Sequence, residues 1–238
     1  MMNTKASLIA LSLAGAALLP ACGGGGGDSG SSGFIPPTND FAVLAGWQNL
    51  LATGGSWTVT GRASDGGNWE ATLQATPQPA AAYPPTGASY PRMRIVSTAA
   101  LNGGTPASGT VEHFRDADLR LQAVRNTGSV EVCATSTTTA LPPAAAKVGA
   151  QGPLATLNNH EDCAPGRPAV GSSTVAWSLE FERGVVLLCV NSESRNAANQ
   201  SIGSEKDCFE IQPDGRLGTR ARITIVQPGV LNLTMKNF

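Results

Sequence analysis

The chain has 238 residues, 41% hydrophobic and 14% charged, with 16 Lys and Arg against 17 Asp and Glu. A formal charge of −1 supplies no basic field for nucleic acid and no polybasic patch for anionic lipid, so neither is expected as a partner of the folded part. Only two histidines are present, which restricts acid–base and metal chemistry, and no cofactor is expected.

In chain order, Met1 to Lys5 is a polar start with one positive charge, and Ala6 to Leu19 is an uncharged, mainly apolar run of 14 residues. A transmembrane helix needs ~20 residues and a secretory apolar region ~7 to 15, so the length predicts a signal peptide. The run ends in Leu19-Pro20-Ala21-Cys22. This resembles a bacterial lipobox, with a branched apolar residue three positions before the cysteine and a small residue just before it, although Pro20 departs from the commonest middle residue. The resemblance implies removal of residues 1–21, lipidation of Cys22 and anchoring of the exported protein to the envelope by two or three acyl chains. Each buried methylene then contributes about 0.8 kcal/mol. Gly23, standing where an inner-membrane retention signal places Asp, implies the outer membrane, facing periplasm or surface. The membrane, reached through this lipid, is thus an expected partner. Residues 22–38 run through Gly23 to Gly27, a Ser/Gly stretch and Pro36-Pro37, with too little apolar surface to offset conformational entropy, and are expected to form a tether.

Residues 39–238 are expected to form one β-rich domain. Asn39-Asp40 is a predicted helix cap, and Phe41, Val43, Leu44, Trp47, Leu50 and Leu51 recur at three- and four-residue steps, predicting a short helix that ends near Gly54. Ser56 to Arg62 and Asn68 to Thr76 alternate around Ser64-Asp65-Gly66-Gly67, a hairpin pattern. Residues 77–91, rich in Pro and Ala, read as a loop. Strands are predicted at Arg92 to Thr98, Thr110 to Arg115, Leu119 to Val124 and Ser129 to Ser136. Leu141 to Val170 carries Pro142, Pro143, Gly149, Gly152, Pro153 and Pro168 and reads as a long connection. Thr174 to Glu182 alternates through Val175, Trp177, Leu179 and Phe181, and Val185 to Val190 is apolar on both faces. Residues 191–205 read as polar loop, before strands at Cys208 to Ile211, Arg220 to Gln227 and Val230 to Met235. About ten short strands with one helix predict a mainly β chain, an antiparallel sandwich or barrel.

With Cys22 set aside, Cys133, Cys163, Cys189 and Cys208 form an even set, which in an oxidising compartment predicts two disulfides between sequence neighbours. Each should stabilise by about 2 to 4 kcal/mol. Zinc, the rival reading, lacks a C-x-x-C pair, and no metal site is assigned. His113 falls in Val111-Glu112-His113-Phe114, on a predicted strand with Glu112 on the opposite face. His160-Glu161-Asp162-Cys163 is the densest group of ligand-type residues and reads as a solvated turn beside a disulfide. Asp65, Asp207 and Asp214 read as isolated turn acids. Neither G-x-S-x-G nor H-E-x-x-H occurs, and no catalytic residue is assigned. Trp47, Trp57, Trp69 and Trp177 occupy predicted apolar faces, where core packing is the default. Trp57 and Trp69 become ligand-facing aromatics if they lie on an open face near Tyr83 and Tyr90.

The function expected from these features is that of a non-enzymatic envelope lipoprotein, a binding or structural module acting through protein or glycan contacts. A small-ligand binder resembling lipocalin-like barrels is the alternative, and it requires an apolar cavity. A hydrolase is the third, and it requires His113 or His160 to meet a hydroxyl or carboxylate.

Overall fold

In a computed structural model of the protein, residues 34–64, 66–128 and 131–238 are described. The expected signal peptide, Cys22, most of the tether and Asp65 lie outside the described residues. One helix, α1 (Val43–Thr53), precedes β1 (Gly55–Ala63), β2 (Asn68–Ala82), β3 (Ser89–Leu101), β4 (Ala107–Arg115), β5 (Leu121–Thr127) and β6 (Glu131–Thr139). The chain continues through β7 (Gln151–His160), β8 (Ala169–Glu182), β9 (Val185–Asn196), β10 (Ser201–Ile211), β11 (Leu217–Gln227) and β12 (Leu231–Lys236). Every strand pairs antiparallel with its sequence neighbours, and β12 pairs back with β1 from Thr60 opposite Lys236 to Ala63 opposite Leu233. The sheet is therefore a closed barrel of twelve strands, a barrel rather than a sandwich and two strands beyond the expected ten.

Two-residue alternation decides which face goes in. Strand β1 buries Trp57, Val59 and Ala63 and exposes Thr58, Thr60 and Arg62, while β12 buries Leu231, Leu233 and Met235. Glu70 and Gln74 on β2 likewise face out. An apolar inside and polar outside is the reverse of the arrangement in a membrane-spanning barrel. No described helix is long and apolar enough to cross a membrane.

Three predicted loops are strand instead. Strands β2 and β3 run through most of 77–91, because Pro79 and Pro91 fall at a register shift where the ladder is already interrupted. The expected connection 141–170 contains β7, whose Pro153 borders a second shift. In 191–205, β9 continues to Asn196 and β10 starts at Ser201, so polar side chains there alternate within a sheet.

The helix also starts later than predicted. Asn39-Asp40 does not cap it; Ala42 holds the cap position with no side-chain bond, and Asn39 Nδ2 donates to the Asp40 carbonyl. Tertiary bonds hold it instead. The Ala42 and Leu44 N–H groups donate to the carbonyls of Pro213 (3.0 Å) and Pro143 (3.2 Å). Trp47 Nε1 donates to Leu119 O at 3.2 Å and Asn49 Nδ2 to Gly215 O at 3.0 Å. These acceptors sit in the β4–β5, β6–β7 and β10–β11 connections, all at one end of the barrel, so α1 plugs that end. Gly215 has φ 88°, and a Cβ there would lie 2.7 Å from Ala45 Cβ, so glycine is needed for this close approach.

Two satellite clusters lie outside the barrel wall. The tip of the β2–β3 hairpin folds over β4 to β6, where Tyr83 donates to Ala134 O at 2.9 Å and meets the Phe114 ring at 5.1 Å. The Cys133–Cys163 disulfide belongs to the same cluster. Cys189–Cys208 joins directly opposed residues of β9 and β10 and packs with Val185, Leu187 and Phe238. Both pairings are those expected from spacing.

Candidate functional site

The barrel interior has two zones. Beneath α1 it is packed: Trp57 lies 4.3 Å from Phe209 between ring centroids, and its Nε1 donates to Gly218 O at 3.1 Å. Trp177, Leu179, Leu188 and Ile211 complete this zone. The other half holds a partly open cavity of about 250 Å³. An eight-stranded barrel is just wide enough for side chains to fill, and twelve strands enclose more than these can.

Most of the cavity wall is apolar, including Trp69, Leu73, Ile95, Val190, Ile225 and Leu233. Two groups of polar residues on it differ in how they are satisfied. Asn159, Ser173 and Ser194, from β7, β8 and β9, satisfy one another: Asn159 Nδ2 donates to Ser173 Oγ at 2.9 Å, and Ser173 and Ser194 hydroxyls lie 2.9 Å apart. Among the described residues Glu205 and Asp207 do not have such partners. Both face the lumen from β10, in phase with Phe209 and Ile211, and the surface they expose is turned into the cavity. Asp207 Oδ1 is sealed from solvent and accepts no hydrogen bond. Lys206, between them, points out and pairs with Glu180 at 2.8 Å. Burial pushes both carboxyls up, Asp207 well above the usual range because the Glu205 charge adds to burial.

His113 lines the cavity from β4, with Glu112 on the outer face bonded to Arg92 at 2.7 Å. Burial, reinforced by the Arg115 charge, holds its pKa down to about 3, so the imidazole is neutral. Its ring hydrogen-bonds no hydroxyl or carboxylate among the described residues. Arg115 is only 2% exposed, and its Nε and Nη2 find no acceptor among the described residues; burial lowers it to about 9, still cationic at neutral pH.

Comparison with protein-family models, curated proteins and solved structures finds no match.

The other sequence candidates separate in space. Trp69 lines the lumen while Trp57 is in the packed zone, and Tyr83 and Tyr90 belong to the cluster outside the wall, so no shared stacking platform forms. His160 is outside as well, its Nδ1 3.0 Å from the Arg167 carbonyl, while Asp162 pairs with Arg167 at 2.8 Å and Cys163 is oxidised. Among the described residues, metal-compatible atoms converge at Glu180, Cys189 and Cys208, but those two sulfurs are bonded to each other. The thiolate is the ligand form of cysteine, so this group is closed to a metal. Asp214 is a turn acid paired with Arg216, whereas Asp207 is a strand residue and not the turn acid expected. Its sequence signal is phase: Glu205 and Asp207 stand at the same parity as Phe209 and Ile211.

Proposed function

We propose that the protein is a non-enzymatic binding module, anchored to the bacterial cell envelope through lipidated Cys22, that holds a small, mainly apolar molecule in its barrel lumen. The cavity carries this reading. Ligand cavities commonly span ~300 to 1,000 Å³, so a space of about 250 Å³ suits a small occupant. A closed hydrogen-bonded wall with one end plugged is also preformed, which keeps the ordering cost of binding low. The two disulfides fit an oxidising compartment reached by export. A binder is favoured over a hydrolase because neither His113 nor His160, whose Nδ1 meets the Arg167 and Pro168 carbonyls, hydrogen-bonds a hydroxyl or carboxylate among the described residues.

The test uses the full lipidated chain in nanodiscs with 4-fluorotoluene, followed by ¹⁹F line broadening. Saturable binding should appear in the native protein and vanish in Ile225→Trp, which fills the lumen; partition into lipid is common to both. Equal signals would refute lumen binding. In cells, labelled palmitate should enter the native protein and not Cys22→Ser, and an unlabelled native protein would refute the anchor.

A further inference from the structure

Building on the lumen-binding reading, we propose that the occupant is an amphipathic organic cation: a small amine whose ammonium bonds Glu205 and Asp207 while its apolar body lies against Val190, Ile223 and Ile225. The register defines this pocket within the cavity. Asp207 stands between Val190 of β9 and Ile223 of β11, and Glu205 between Ser192 and Ile225. Two carboxyls two residues apart on one strand share a face at a separation of about 7 Å. Their flanking neighbours offer one hydroxyl, and Ser192 Oγ lies 3.4 Å from the Glu205 backbone carbonyl rather than bonding either carboxylate.

A buried carboxylate is costly unless a cation or donor meets it. Asp207 Oδ1 has neither among the described residues. Strands β9 and β11 turn Val190, Ser192, Ser194, Ile223, Ile225 and Gln227 to the lumen, none of them titratable. Across the cavity stands His113, neutral, and Arg115, which follows it on β4, is not among the residues that line the cavity. Lys206 is committed to Glu180 on the other face. Among the described residues no Lys or Arg lines the cavity, so a cation that meets the pair there would come from outside the protein. A primary ammonium brings three N–H donors, enough for both carboxyls, and the apolar remainder of the wall takes the rest of the molecule. Without ligand, burial and mutual repulsion hold the protons of the pair to higher pH; a bound cation favours the ionised form, so binding favours proton release and tightens as pH rises.

Calorimetry on the full lipidated chain in nanodiscs would compare 2-phenylethylamine with its neutral isostere 2-phenylethanol and the anion phenylacetate. The amine should bind at least tenfold more tightly than the alcohol and phenylacetate least. Amine affinity should rise from pH 5 to 8, with proton release seen as a buffer-dependent heat. Asp207→Asn and Glu205→Gln should each bring the amine toward the alcohol's affinity and leave the alcohol unchanged. Both variants replace a carboxyl by an amide of the same shape, and an unaltered near-UV circular dichroism spectrum would confirm their fold. Equal amine and alcohol binding, lost together in Ile225→Trp, would overturn the cation while leaving lumen binding intact. Tighter binding of phenylacetate would do the same, and failure of all three probes would overturn both readings.

Discussion

His113 and Asp207 line one cavity, yet burial moves their protons in opposite directions. The imidazole stays unprotonated, its pKa held to about 3, whereas the carboxyl holds its proton to higher pH than an exposed one, because burial and the Glu205 charge both raise it. The consequences for stability have opposite signs. Between pH 6.5 and about 3 the unfolded chain protonates His113 and the folded chain does not, so its contribution is lost as pH falls through that window. The slope is at most about 1.4 kcal/mol per pH unit. Asp207, raised in the folded state, loses stability as pH rises instead. Urea unfolding at pH 7 and pH 4 should therefore show His113→Leu gaining on the native protein as the medium becomes acid. A native-minus-variant difference independent of pH would mean that His113 is solvated. At this scale the sequence was readable only in part: the alternation places Glu112 and His113 on opposite faces, but nothing local tells whether the inward face meets packed side chains or a void.

At the level of elements, strands survive prolines and polar runs when tertiary pairing supplies what propensity lacks. Strand β7 forms despite Gly152 and Pro153 because β6 and β8 flank it, and the proline sits beside a register shift. Helix α1 forms without a side-chain cap because carbonyls of three connections receive its donors. The Cys133–Cys163 bridge spans 30 residues and ties β6 to the β7–β8 connection. Replacing both cysteines by alanine should cost about 2 to 4 kcal/mol in urea unfolding of the oxidised protein. An unchanged midpoint would mean that the loop is already ordered by β6–β7 pairing in the unfolded ensemble or held otherwise in the fold.

For the whole molecule, closure is the decisive event, and it rests on the short β1–β12 seam from Thr60 to Ala63. Deleting residues 231–238 removes β12 and leaves β1 and β11 with unpaired edges, which template aggregation. The truncated chain should lose cooperative unfolding and elute as oligomer in size exclusion; a monomer with protected amides in β1 and β11 would show the seam to be dispensable.

The sequence by itself determined the period-two alternation, the inward apolar set and the cysteine spacing, because these follow from local backbone geometry and from residue identity. The tertiary structure alone decided the number of strands, the closure and the width of the lumen. Register between residues at opposite ends of the chain sets those, and no local pattern encodes it. That is also why a pair of acids, unremarkable along the chain, becomes a lumen-facing site without a basic partner among the described residues only once twelve strands have enclosed more space than their side chains can fill.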